Sequence, residues 1–212
     1  MKTMLLLTSL LCLVAMPAAA DLYISEVYYD HTGGDDGYEW VEIVNTGTIT
    51  FDLTGYILAW GGTDYSYGTL VLDGQVAACG MYVVGGPNSE AANGNPWFHQ
   101  VANFTPDIQN SGSTGDGIAL FAPGADVLVD TPIDAVVYGS NNNNGLIDET
   151  GIAAAADTGD VAAGGSIMRT SLSGNWDMQA IPNANDESFT YYCGIIISND
   201  QSTWGSVKAM YR

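Results

Sequence analysis

Hydrophobic and polar positions alternate along this chain in short bursts rather than at helical spacing. Bursts rich in Val, Ile, Tyr and Trp fall at 22–29, 38–45, 55–60, 65–72, 79–84, 117–122, 126–130, 133–138 and 190–197. Each is bounded by Gly, Asn, Asp or Pro, as hairpin and loop chemistry requires. The pattern predicts nine short strands and an all-β sandwich. One helical turn is expected at 152–156. Three connections are longer than a sandwich needs: 87–100, 141–151 and 152–164. Within EWVEIVN, strand alternation puts Glu39, Val41, Ile43 and Asn45 on one face and Trp40, Glu42 and Val44 on the other. Val41 and Ile43 form the natural core pair. Glu39 then begins an inward row, where a carboxyl needs backbone N–H donors. Asn45 ends that row and opens an N-T-G turn.

Three segments carry a resemblance. The stretch 21–60 holds ISEV, EWVEIVN and FDLTGYIL joined by Gly/Asp/Thr turns. The block GDGIALFAPGADVLVDTPIDAVVYG (115–139) reads as a hairpin followed by a strand, and GSIMRT (165–170) as a closing strand. Together they resemble the lamin-tail domain of secreted bacterial proteins. In the closing strand, Met168 stands where that family commonly has Glu. The resemblance implies an immunoglobulin-like β-sandwich, with Glu26, Glu39, Trp40, Asn45 and Gly55 as structural motif positions. Eukaryotic members are associated with chromatin and protein partners, and bacterial ones are often attached to extracellular hydrolases. A shared fold transfers neither role by itself.

The first twenty residues predict a secretory signal. Lys2 supplies a positive start, 4–16 an apolar core, and Pro17-Ala18-Ala19-Ala20 an A-x-A cleavage site after Ala20. The apolar run is shorter than the roughly 20 residues of a membrane span, and no membrane insertion is expected. Residues 21–185 then form one lamin-tail-like domain, and 186–212 a strand or tail packed on it. Export leaves Arg169, Lys208 and Arg212 against 24 carboxylates. Such a body cannot supply the cationic contacts that dominate nucleic-acid binding, so no nucleic-acid partner is expected. Hydrophobic content of 47%, with 12 Tyr and 5 Trp, is enough for a core and excludes a disordered acidic chain.

Outside the signal two cysteines remain, Cys79 and Cys193. An even count in an exported protein favours a disulfide between them over two buried thiols. His31 and His99 lie in no metalloenzyme spacing, and no G-x-S-x-G occurs. No catalytic residue is assigned. Asp30, Asp35 and Asp36 cluster in the first turn, as a metal loop or an ordinary acidic turn. An EF-type reading from Ser140 puts Asn142, Asn144 and Asp148 at ligand positions. It lacks the anionic residues at positions 1 and 12, so calcium is a weak expectation and no cofactor is needed.

Trp60, Tyr65, Tyr67, Trp97 and Phe98 lie in or beside loops, either as a contact surface or as caps on the open ends of the sandwich. The sequence therefore predicts a secreted, non-enzymatic binding or structural module with an extracellular protein or glycan as partner. The alternatives are an accessory domain for a separately encoded hydrolase, and a divalent-metal protein using acidic loops.

Overall fold

The computed structural model describes residues 22–110 and 112–186. The expected signal, the strand at 190–197, Cys193 and the tail from 187 onward lie outside the described residues. Twelve strands follow in chain order: β1 (Leu22–Tyr28), β2 (Trp40–Asn45), β3 (Phe51–Asp52), β4 (Ile57–Gly61), β5 (Gly68–Val71), β6 (Gln75–Val76), β7 (Met81–Gly85), β8 (Gln100–Val101), β9 (Asp116–Phe121), β10 (Asp134–Tyr138), β11 (Ser166–Arg169) and β12 (Trp176–Gln179). Among the described residues the only helical element is one 3-10 turn, Ala91–Asn93. Among the described residues no helix is long and apolar enough to cross a membrane.

A six-stranded sheet, β12-β11-β1-β2-β7-β8, faces a four-stranded sheet, β10-β9-β4-β5; β3 and β6 form a separate ribbon. The chain is an all-β, immunoglobulin-like sandwich. Its core joins Ile24, Val27, Val41, Ile43 and Ile167 of the larger sheet to Leu58, Trp60, Ile118, Leu120 and Val136 of the smaller. Burying such side chains from both sheets is the main source of cohesion. Alternation in β2 is as the sequence predicts: Val41 and Ile43 face the core, and Trp40 faces away.

A bulge in β1 sets what lies on the far face. The register against β2 shifts between Ile24 and Glu26. Leu22 and Ile24 point inward before it, and Val27 and Tyr29 after it. Without that extra residue, period-2 alternation would drive Glu26 into the core. With it, Glu26 turns outward beside Glu42.

Both outer faces are also covered, which explains the long connections. Tyr28, Trp40 and Val83 on the larger sheet pack under Phe98 and Ala184. Ala59, Ala119, Phe121, Ala135 and Val137 on the smaller pack under Leu146, Ile147, Ala154 and Ala156. The central strands β2 and β9, and the edge strand β10, are consequently buried at every position.

Two predicted elements differ. The strand expected at 126–130 is a turn. Asp126 accepts from the Leu128 N–H at its side chain (3.0 Å) and from the Val129 and Asp130 N–H groups at its carbonyl. An Asp that satisfies local N–H groups in this way competes with ladder pairing. The helical turn expected at 152–156 is extended instead. Ile147 and Ala153 form an antiparallel bridge, and Asn142 donates to the carbonyls of Leu146 and Ala154 (both 2.8 Å). The short strands β3, β6, β8 and β12 had no periodic signal.

Candidate functional site

The open end of the sandwich near the start of β2 and β9 holds a cleft lined mainly by polar side chains. Residues 102–110 and 112–114 cross this end. They carry little alternation, and their position follows from tertiary contacts. Phe104 packs edge-on against Trp60 (5.1 Å), and the Trp60 indole N–H donates to the Pro106 carbonyl (3.1 Å). Tyr138, from the core, donates to the Gln109 carbonyl (2.6 Å). These contacts fix a cleft of about 520 Å³ lined by Asp35, Tyr67, Asp107, Gln109, Asn110 and Asp116, among others. A second cleft of about 200 Å³ adjoins it, between Gly62, Thr63, Asp64 and Ser66; Tyr67 and Gln109 line both.

Glu39 sits beneath the first cleft, 1% exposed. Its Oε2 accepts from the Ile108 N–H at 3.0 Å, whereas its Oε1 is buried with no hydrogen-bond partner. Burial, reinforced by Asp107, Asp35 and Asp36, pushes its pKa up to about 10, so the group is neutral near pH 7. Burial with the neighbouring Asp36 and Asp35 also raises Asp107. The Gln109 Oε1 is a second buried oxygen without a partner. Asp35 is engaged at both oxygens, by the His31 N–H (2.8 Å) and the Asn110 amide (3.0 Å). Asp36 accepts from the Asn103 amide (2.5 Å).

The other acidic candidates are dispersed. Asp30 is half-buried at the end of β1. Asn142 folds its own loop, accepting from the Leu146 N–H (2.9 Å); Asn144 donates to the Gly62 carbonyl (2.9 Å); Asp148 caps Thr150. The amide N–H groups of Asn142 and Asn144 are thus spent on backbone carbonyls. Among the described residues no group of three or more His, Cys, Asp or Glu is placed to hold a metal ion. The six residues of the two candidate metal sets are not brought together.

The aromatic set divides. Trp60 and Tyr65 are interior residues, a correction to their place on a contact surface: Trp60 is in the main core, and Tyr65 donates to the Ile147 carbonyl (2.9 Å) beneath the loop over the smaller sheet. Phe98 is half-buried over the larger sheet. Tyr67 and Trp97 are exposed, at 51% and 67%, on different elements. Trp97 belongs to the 87–100 connection, where its backbone is tied in both directions to the Asn185 side chain. Only Tyr67 lines the clefts.

Both histidines have structural work. His31 shares a hydrogen bond with the Tyr28 hydroxyl (2.8 Å) and stacks on Tyr38. The His99 ring accepts from the Val83 N–H (3.1 Å), and burial lowers its pKa. Gly55 takes a left-handed φ of 85° in the turn into β4. Cys79 is exposed at a left-handed φ of 57° before β7. Sequence reasoning missed Asp107 and Gln109, because a non-periodic segment carries no signal of what it crosses. It also missed Glu42, although alternation had already placed it beside Trp40 on the outer face.

A family model for the lamin tail domain matches residues 15–152, and the chain belongs to that family. The family is one of non-enzymatic, immunoglobulin-like modules. No curated protein and no solved structure matches the chain. The sandwich extends past the matched region, since β11 pairs with β1 and β12 with β11.

Proposed function

We propose that the protein is a secreted, non-enzymatic binding module that engages an extracellular protein or glycan through the cleft lined by Tyr67, Asp107, Gln109 and Asn110. The observation that carries this reading is the Gln109 Oε1, a buried acceptor without a partner in the wall shared by two clefts, beside an exposed Tyr67. Buried acceptors are costly unless something donates to them. An exposed aromatic beside planar amides and carboxylates suits a recognition surface. The Nδ1 atoms of His31 and His99 are each held in an internal hydrogen bond, to the Tyr28 hydroxyl and from the Val83 N–H, and neither ring lines the clefts.

Export with cleavage after Ala20 belongs to the same reading, as does a Cys79–Cys193 disulfide that closes a long loop. The chain-entropy model puts such a closure at about 4–5 kcal/mol. The module works without a cofactor, without membrane insertion and without nucleic acid. Among the described residues the sole Lys or Arg is Arg169, and it is buried against Asp134. A screen of extracellular glycans and proteins, repeated with Tyr67→Ala and Gln109→Ala, tests the assignment. A partner retained at full affinity by both variants places the binding surface elsewhere.

A further inference from the structure

We propose that Asn144–Gly145 is a self-modification site. In the folded protein Asn144 converts to aspartate or isoaspartate through a cyclic imide, and the conversion loosens the loop 140–153 from the β4–β5 connection. The chemistry needs no ligand and proceeds whether or not the cleft binds one.

Two Asn–Gly dipeptides occur in the chain, Asn93–Gly94 and Asn144–Gly145. In such a pair the glycine nitrogen can attack the asparagine Cγ, because no side chain shields it and glycine reaches the required backbone geometry most readily. The N–Cγ bond forms, the Cγ–Nδ2 bond breaks, and ammonia leaves with the proton given up by the glycine N–H. Water from the solvent then opens the imide at either carbonyl, giving aspartate or isoaspartate. No other reactant is needed.

The fold treats the two dipeptides oppositely. Asn93 is 0% exposed. Its Nδ2 donates to the Tyr38 and Asn88 carbonyls (both 3.0 Å), and its Oδ1 accepts from the Glu90 N–H (2.9 Å). The Gly94 N–H is itself spent on the Ala91 carbonyl (3.4 Å). Turning that amide toward Gly94 breaks its bonds inside the protein, so attack must wait for local opening. Asn144 and Gly145 are instead exposed at a turn. A single described hydrogen bond holds the Asn144 side chain, from Nδ2 to the Gly62 carbonyl (2.9 Å). The Gly145 N–H, the attacking group, donates to nothing among the described residues.

What the conversion changes is set by that one bond. Two described side-chain hydrogen bonds join the loop to the β4–β5 connection: Asn144 to the Gly62 carbonyl, and the Tyr65 hydroxyl to the Ile147 carbonyl (2.9 Å). A carboxylate accepts but does not donate. The product therefore loses the first tie and sets an anionic oxygen against the carbonyl of Gly62, a buried residue. Isoaspartate also lengthens the backbone at the loop tip. The base of the loop is fixed by the three Asn142 side-chain bonds and the Ile147–Ala153 bridge, so the added length is confined between them. Leu146 and Ile147, which cover Ala119, Phe121 and Val137 of the smaller sheet, lie next to the altered residue.

The test is peptide mapping by mass spectrometry of the purified full chain, stored folded and in denaturant at neutral and alkaline pH. Isoaspartyl methyltransferase labelling identifies the product, and hydrogen exchange reports on residues 140–153. In the folded chain Asn144 should convert roughly tenfold or more faster than Asn93, because only Asn93 must wait for opening. The two rates should converge in denaturant, and both should rise with pH as the attacking nitrogen loses its proton more readily. Asn144→Gln, whose longer side chain closes the ring far more slowly, should remove the isoaspartate signal from the 140–153 peptide. Asn144→Asp should reproduce, without storage, the faster exchange of the aged loop. Equal folded-state rates at the two asparagines, or Asn93 ahead, overturn the assignment. So does an Asn144 that stays intact in the folded chain over a time in which the denatured chain converts. Conversion at Asn144 with unchanged exchange over 140–153, in the aged chain and in Asn144→Asp alike, overturns the loosening.

Discussion

Glu26 and Glu42 stand directly opposite each other on β1 and β2, both fully buried, and each holds a backbone N–H of the same crossing segment. Glu26 Oε1 accepts from the Ser166 hydroxyl (2.5 Å) and the Asn183 N–H (3.2 Å). Glu42 accepts from the Ser25 hydroxyl (2.9 Å) and the Asn185 N–H (2.9 Å). The pair thereby fastens residues 183–185 over the outer face of the larger sheet. Two ionised carboxylates at such a site would repel strongly, so at least one must be neutral.

This pair makes stability fall as pH rises. Burial pushes Glu26 up to about 7 and Glu42 up to about 8, from an ordinary 4.5. The folded chain therefore holds protons that the unfolded chain has released. The stabilisation is complete below about pH 4.5 and declines until pH passes the folded values. Melting curves from pH 5 to 8.5 should show stability lost at roughly 1 kcal/mol per pH unit for each group in its own window. Glu26→Gln mimics the protonated acid, and its amide oxygen can still accept from the Asn183 side-chain N–H, which donates to Glu26 (2.8 Å). It should match the parent at pH 5 and exceed it at pH 8. A variant that tracks the parent at every pH would show that Glu26 does not titrate in this range.

Arg169 and Asp134 tie the two sheets together. One Arg169 terminal nitrogen meets both Asp134 oxygens (2.6 and 2.7 Å), and its Nε donates to the Ile24 carbonyl (2.9 Å). Asp134 also accepts from the Ile24 N–H (2.7 Å), so the pair satisfies the backbone beside the β1 bulge. Burial opposes ionisation of Asp134, and the guanidinium supports it. Arg169→Met or Asp134→Asn should cost about 3–5 kcal/mol in urea unfolding, because each strands a buried partner. Replacing both with apolar residues should not restore stability, since Ile24 would lose both its partners. Full recovery in the double variant would refute this link to the bulge.

The legible part of this fold is the part that local pattern controls. Strands buried on one face in the sequence pattern, such as β2 and β9, were placed within a residue or two. Alternation in β2 correctly sent Glu39 inward to a backbone donor. The GSIMRT segment, flagged by resemblance alone, became β11. The covering segments were not legible, because nothing local tells residues 140–160 or 181–186 which sheet face they will meet. The same gap concealed the cleft: its Asp35 was singled out, but Asp107 and Gln109 come from a segment whose place depends on Trp60 and Tyr138. For Trp60 and Tyr65, which loops flank, the sequence leaves a contact surface and a cap on the sandwich end both open, and only their packing shows them to be interior.

Two glycines separate close packing from open space. A Cβ at Gly68 would lie 2.2 Å from the Trp60 ring, inside the core, whereas a Cβ at Gly34 meets nothing within 4 Å. Gly68→Ala must displace Trp60 or β5 and should destabilise by about 1–3 kcal/mol, or prevent folding. Gly34→Ala should be neutral or stabilise by up to about 1 kcal/mol through the unfolded chain. Chemical denaturation of the two variants side by side distinguishes the cases. Similar midpoints would mean that Trp60 is not packed against β5 as described.

Glu39 and Asn45 end the same strand face but should respond oppositely to substitution. The Glu39 carboxyl, raised to about 10, is already neutral at pH 7, and its single hydrogen bond is accepted from the Ile108 N–H. Glu39→Gln keeps an acceptor of the same shape, so its melt at pH 7 should lie close to the parent's. Asn45 has no such substitute. Its Oδ1 accepts from the Gly47 N–H (2.9 Å), and its Nδ2 donates to the Ile49 (2.8 Å) and Ala77 (3.0 Å) carbonyls. Asn45→Ala leaves three backbone groups of the β2–β3 and β6–β7 connections without these partners. At about 1 kcal/mol for each lost bond, more where water cannot enter, the variant should lose roughly 2–4 kcal/mol. Asn45→Asp should lose nearly as much, because a carboxylate cannot donate to either carbonyl. An Asn45→Asp protein as stable as the parent would mean that the turn acceptor, and not the two donated bonds, is what this side chain supplies.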